Sequence, residues 1–411
     1  MTMKQTQTKM FDFADVGLDF CPGSKNLFPD RFKKMLSQGY NEQTVASVSV
    51  SGNQVTLNYG VAHGYVADRV LKVNSGTLAA INGGEFWIDA VTTNTLTLTI
   101  DGAPISVSGG FVTKIAPLGY QLVYEVGDIH VYKFKALDAT DLYLRLVFTP
   151  GAANTYNNVL PCIGKGVDLS TGFIVDDFSI SINKSAMSSL TQKTPLWTFC
   201  SEASSTYNNY SFSQGISIFG KSMVIGSLYH LLFCCYFTPY YPASAAIYGL
   251  VPSHVFQYEK LAYPLLIANE YSGSIESSAK FLQRNTTYYS KVMLGAFEVQ
   301  FNQADTKLLV PPKAKTSFLP IGIDTFNTTV AEPISIYEKA TGQFLGYATG
   351  IYVANYGTTL PTSNWSSNPV KSYDVDLNNV CLSHPLHSEY DLNASSVVYL
   401  TIPVEEIKIG A

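Results

Sequence analysis

Charge is scarce in this chain. Asp, Glu, Lys and Arg make up 14% of its 411 residues, against roughly 25% in an ordinary soluble domain. The 26 basic and 31 acidic residues leave a net charge of −5, so there is no basic footprint, and nucleic-acid binding is excluded as a main role. Six cysteines (Cys21, Cys162, Cys200, Cys234, Cys235 and Cys381) show no C-x-x-C spacing. That suits neither a disulfide framework nor a zinc site, and reads instead as buried thiols of a protein made in a reducing cytoplasm. Long apolar runs are missing too. The longest, residues 228–237, includes His230 and has about half of the roughly 20 residues a membrane helix needs. No membrane insertion is expected, and the run reads as a core strand or an interface segment. Residues 1–9 are polar, with no apolar stretch after the lysines, so no secretion signal is expected.

The usual catalytic signatures are also lacking. There is no G-x-S-x-G elbow, Walker loop, dinucleotide fingerprint or H-E-x-x-H. His384-Pro385-Leu386-His387 is an H-x-x-H pair, but its proline forbids the helix on which paired ligands sit, and two loop histidines are the better reading. Asp176-Asp177 and Asp374-Val375-Asp376 offer the paired carboxylates a glycosidase would need. Both also look like turn or edge-strand polarity. The expectation is therefore no catalytic residue, no metal ligand and no cofactor.

Aromatic residues and short β-branched runs are abundant. Tyr (27) and Phe (23) carry most of a 13% aromatic content; uncharged, aromatic-rich surface is what subunit contacts use. Residues 48–115 are the most legible stretch. Val48, Val50, Val55, Leu57 and Tyr59 keep period-2 spacing about Ser51-Gly52-Asn53, which argues half-buried strands. Asn82-Gly83-Gly84 offers positive φ ahead of Phe86-Trp87-Ile88, and Thr93-Asn94 separates Ala90-Val91 from Leu96, Leu98 and Ile100. Hairpins at such spacing predict a small sandwich or barrel.

The fold class expected is mainly β: several small β-sandwich or β-barrel domains in series, with few short helices. The divisions read as an N-terminal arm at 1–45, a small sandwich or barrel module at 46–116, a larger β-sandwich at 117–264 and a C-terminal β-rich domain at 265–411. Strands are expected at residues 121–125, 129–134, 142–148, 173–175, 196–199, 216–219, 223–225, 231–233, 308–312, 334–337, 350–353 and 396–404. One short helix is expected to begin at Pro29. The arm places Phe11, Phe13 and Phe20 among aspartates, with too few apolar residues for a core of its own. They become candidate subunit-contact residues, together with Tyr240 and Tyr241 in a proline-rich aromatic loop. Deleting residues 1–25 should then leave the rest folded with unchanged melting, but impair assembly.

Two motifs resemble a known group. His63-Gly64-Tyr65, the run from Arg69 to Val73, Ile81-Asn82-Gly83 with Phe86-Trp87-Ile88, and Val91-Thr92-Thr93-Asn94-Thr95-Leu96-Thr97-Leu98 resemble a hairpin module that recurs in virion proteins of tailed bacteriophages. His130-Val131-Tyr132-Lys133 followed by Leu142-Tyr143-Leu144-Arg145-Leu146 is similar to a strand pair in tail-associated proteins of those viruses. Together they cover about the first third of the chain and bring no catalytic residue with them. The resemblance implies a structural component of the tail, baseplate or neck, made in the host cytoplasm and incorporated into the virion. Its partners would be copies of itself and other virion proteins. The alternative is a tail-tip protein that binds a host-surface glycan through aromatic loops; a tail-associated glycan hydrolase ranks behind both.

Overall fold

The computed structural model describes residues 2–3, 7–148, 157–185, 194–200, 205–236, 245–255, 258–270, 290–301, 332–354, 369–374, 379–386 and 398–407. The chain is mainly β, in several sheets, with short helical pieces and no closed barrel among the described residues.

The hairpins of residues 48–115 form as their spacing dictates. Ser47–Ser51 pairs with Gln54–Asn58 about Gly52 (φ +61°), and that strand pairs with Thr95–Thr99, which pairs with Ala90–Val91. The second sheet runs Thr2–Met3, Glu85–Trp87, Val70–Val73, Val112–Ile115, Tyr40–Thr44. Inward residues of both sheets, among them Val55, Leu57, Leu96 and Leu98 from one and Leu71, Val73 and Phe86 from the other, share one buried cluster. The module is thus a sandwich, and its five-stranded sheet is completed by two strands from the segment expected to be a separate arm.

That segment is the main correction to the sequence reading. Lys9–Asp12 pairs with Met223–Ser227 in the large sheet, and Phe11, Phe13 and Phe20 are 0% exposed within their own chain. Phe13 and Phe20 stack at 4.3 Å, and Phe20 meets Phe28 edge-on at 5.0 Å. Phe32, one turn on, packs on Phe148, Phe199 and Phe233. The stretch lacks apolar residues for a core of its own because it supplies the seam between two others. Asp15 is 8% exposed and accepts hydrogen bonds from Arg69 Nε (2.7 Å), Arg69 Nη2 (3.0 Å) and Tyr40 Oη (2.7 Å). Lys9, fully buried, pairs with Glu85 at 2.7 Å and donates to the Pro117 carbonyl at 2.7 Å. Both ion pairs tie the N-terminal segment to the module. The far end closes as well: Thr8 donates from its backbone N–H and its hydroxyl to the Glu405 carbonyl, and Gln7 bridges Glu406.

The large sheet runs from Gln121–Val126 through Ile129–Lys135, Asp141–Phe148, Asn157–Gly164 and Pro195–Cys200 to Leu265–Glu270. That last strand branches the sheet, since its first half pairs with Ala245–Val251 and its second with Pro195–Cys200, while Ser290–Leu294 runs along its other side. Hydrogen bonding is therefore continuous across residues 264–265, where a domain boundary was expected. The strand His230–Tyr236 is buried throughout, as its apolar run predicts.

Among the described residues, α-helix forms in two places. Phe28–Lys33 begins with proline in its first turn and continues into a wider turn at Lys34–Gln38, as expected. Phe212–Phe219 is also a helix, although residues 216–219 read as strand. Ser211 and Gln214 explain it: the Gln214 side chain reaches back and accepts from the Ser211 backbone N–H (2.9 Å) and from its hydroxyl (2.9 Å), the half of a capping box that satisfies the N–H at the start of a helix. Asp19 adds a cap by accepting from the Phe212 N–H at 2.9 Å. The expected strand at residues 308–312 lies outside the described residues.

Candidate functional site

Of the carboxylate and histidine pairs, Asp176, Asp177, Asp374 and His384 lie among the described residues. Asp176 accepts from the Lys165 and Phe178 backbone N–H groups (2.7 and 3.1 Å) and from the Tyr263 hydroxyl. Burial raises its pKa, but those three donors outweigh burial and leave it below the usual carboxylate value. This carboxylate shapes a turn and is held by three donors. Asp374 ends the strand Val370–Asp374, and Asp376 lies outside the described residues. His384 is not in a loop: it sits, fully buried, in the strand Asn379–Leu386, with Nε2 3.3 Å from the Cys235 carbonyl. His387 lies outside the described residues. Cys21, Cys162, Cys234, Cys235 and Cys381 are buried and form no disulfide, and burial pushes Cys21 up to about 11 and Cys162 up to about 12. Among the described residues no three His, Cys, Asp or Glu side chains gather where one ion could be held, and no helix is long and apolar enough to cross a membrane.

Of the candidate contact residues, Phe11, Phe13 and Phe20 have no surface to offer. Tyr240 and Tyr241 lie outside the described residues, and the tyrosines flanking them, Tyr236 and Tyr248, are buried. The exposed apolar surface is elsewhere. Twelve large apolar side chains are exposed among the described residues. Four of them, Leu169, Val175, Phe178 and Ile182, lie on one excursion at residues 165–185, and two more, Tyr258 and Phe297, line a cleft whose Lys260 sits over the Phe178 ring.

The excursion leaves the sheet after Asn157–Gly164 and returns at Pro195–Cys200. It carries a small hairpin, Val167–Asp168 with Phe173–Ile174, whose turn is held by Asp168 accepting from the Ser170 N–H (2.8 Å) and hydroxyl (2.7 Å) and the Thr171 hydroxyl (2.9 Å). Its base is pinned from below. Arg145 is fully buried and donates to the carbonyls of Gly172 (2.9 Å) and Asn183 (3.2 Å), with its guanidinium 5.7 Å from the centre of the Phe173 ring. Asn183 in turn donates to the carbonyls of Pro161 and Pro195. A guanidinium suits this work because it offers several donors in one plane and stacks on a ring at the same time. The result is a rigidly based projection with Leu169 (57% exposed) and Val175 (58% exposed) outward.

Beside the excursion lies a cleft of about 520 Å³ lined by Tyr258, Lys260, Leu261, Phe297, Glu338, Gln343 and Leu345. Lys260 places its ammonium 5.0 Å from the centre of the Phe178 ring and so links cleft to excursion. The hairpin joining Glu332–Glu338 to Phe344–Val353 forms one wall. It turns at Gly342 (φ +68°) and is braced by Lys339 to Glu298 and Thr341 to Glu338. Nothing in periodicity or motif marked this surface; the available signal was aromatic residues at strand ends and in turns.

The two motif-bearing strands of residues 129–148 are hydrogen-bonded neighbours, with His130 opposite Leu146 and Val131 opposite Arg145. No family model matches the sequence, and no curated protein matches it.

Proposed function

We propose that the chain is a structural subunit of a tailed-bacteriophage virion, in the tail, baseplate or neck, whose work is assembly and not catalysis. The excursion at residues 165–185 carries this reading. A weakly charged chain that holds four large apolar side chains exposed on a braced base has the character of a contact surface. Leaving them in water forgoes about 25 cal/mol per Å² of apolar area that a partner would bury. In this reading the partners are other copies of the chain and other virion proteins, with no role for nucleic acid or membrane insertion, and the site of action is the particle. The module at residues 48–115, which resembles tailed-phage virion proteins, supports the same reading.

The test is composition of the particle. Virions purified from a lysate of the phage that encodes this chain should contain it in fixed stoichiometry by quantitative mass spectrometry. Its absence from particles that are otherwise complete overturns the proposal. The aromatic cleft favours a second reading, binding of a host-surface glycan.

A further inference from the structure

We infer that the cleft beside the excursion is a binding site for an uncharged oligosaccharide. Its floor is apolar, made by the buried side chains of Leu261 and Leu345. Two aromatic rings, Tyr258 (49% exposed) and Phe297 (37% exposed), face the solvent at its sides. Lys260, Glu338 and Gln343 bring an ammonium, a carboxylate and an amide to the lining. The Gln343 side chain reaches within 3.4 Å of the Tyr258 hydroxyl and holds that ring in place.

These groups select a ligand class. A sugar ring has an apolar C–H face and an equator of hydroxyls, so it needs a flat aromatic surface and, around it, groups that both donate and accept. Aromatic side chains give the first at low entropic cost. Gln343 both donates and accepts, Glu338 accepts and Lys260 donates. The lining has one positive and one negative side chain, which matches a ligand with no net charge. The volume falls within the 300–1,000 Å³ of small-ligand sites. A second copy of the chain fits less well here. A stable protein contact takes about 800 Å² from each partner, more than a concave lining of seven residues presents. The inference rests on the second reading, glycan binding, and deepens it by naming an uncharged oligosaccharide as the ligand; it is independent of the assembly reading, because binding at the cleft requires no particle.

The experiment uses the full-length protein. Calorimetric titration and saturation-transfer NMR are run with maltohexaose, cellohexaose and chitohexaose against the parent protein, the variant Tyr258→Ala with Phe297→Ala, the variant Gln343→Ala, and Ile105→Ala as a control at an exposed site elsewhere. Circular dichroism and melting confirm that each variant is folded. The expected result is saturable binding of at least one of these sugars. The double aromatic variant should weaken it by about tenfold or more, which corresponds to about 1.4 kcal/mol, Gln343→Ala should weaken it less, and Ile105→Ala should leave it unchanged. No binding to any of the three sugars, or equal binding by the double variant, overturns the inference. So does a double variant that sediments as a smaller species than the parent, since the cleft would then be a subunit contact.

Discussion

His130, His230 and His384 have lost nearly all contact with water, and burial pulls their pKa values down, to about 4 for His130 and His384 and about 3 for His230. In the unfolded chain each returns to about 6.5. Below that value the unfolded state therefore binds more protons than the folded one, and stability falls as pH falls, by up to about 1.4 kcal/mol per pH unit for each histidine. Unfolded carboxylates titrate mostly below about pH 5, so the histidines dominate between pH 6.5 and 5. Urea denaturation across that window should show the midpoint dropping steadily; a flat profile would mean these rings are hydrated. The Asp15–Arg69 pair makes a second prediction at this scale. Arg69→Met leaves a buried carboxylate without its cation and should destabilise by about 3–5 kcal/mol. Asp15→Asn combined with Arg69→Met should recover part of the loss, as read from denaturation midpoints. Neither residue's role was legible in the sequence, because the partners are 54 positions apart and nothing local marks a charge destined for burial.

At the scale of elements, local chemistry decided what could be read. The hairpins of residues 48–115 were legible because side-chain alternation and turn residues agree at each step: Asn82, Gly83 and Gly84 all adopt the positive φ that their identity invites. The helix Phe212–Phe219 was misread because four residues of alternation, Ile216 to Phe219, outweighed a capping signal one turn upstream. Ser211→Ala with Gln214→Ala removes that cap and should cost about 1 kcal/mol, seen as a lower melting temperature with an unchanged β spectrum. No loss would mean that the Asp19 cap and the packing of Phe219 against Cys21 suffice to hold the helix. The excursion was partly visible as a strand at residues 173–175. Its anchoring by Arg145 was not, since an arginine in an apolar strand gives no sign of which carbonyls it will meet.

At the scale of the molecule, the N-terminal segment joins the sandwich module to the large sheet and meets the chain's other end at Glu405 and Glu406. Composition alone misled here: a stretch too poor in apolar residues to fold by itself can dock on a neighbour or on its own chain, and only the fold distinguishes the two. Phe11, Phe13 and Phe20 each contribute about 1.5–3 kcal/mol of burial, and with the lost strand and ion pairs their removal exceeds much of the 5–15 kcal/mol that stabilises a typical protein. Removing residues 1–25 should therefore give a protein with no cooperative melting transition. A truncated chain that melts like the full-length one would return the segment to an assembly role.

The central claim, assembly through the excursion, is tested most directly by sedimentation velocity of the full-length protein beside the variant Leu169→Glu with Phe178→Glu. The parent should form a discrete closed oligomer, and the variant, with the same circular dichroism and melting, should sediment as a monomer. A parent that stays monomeric as its concentration is raised, or a variant that assembles equally well, would contradict it.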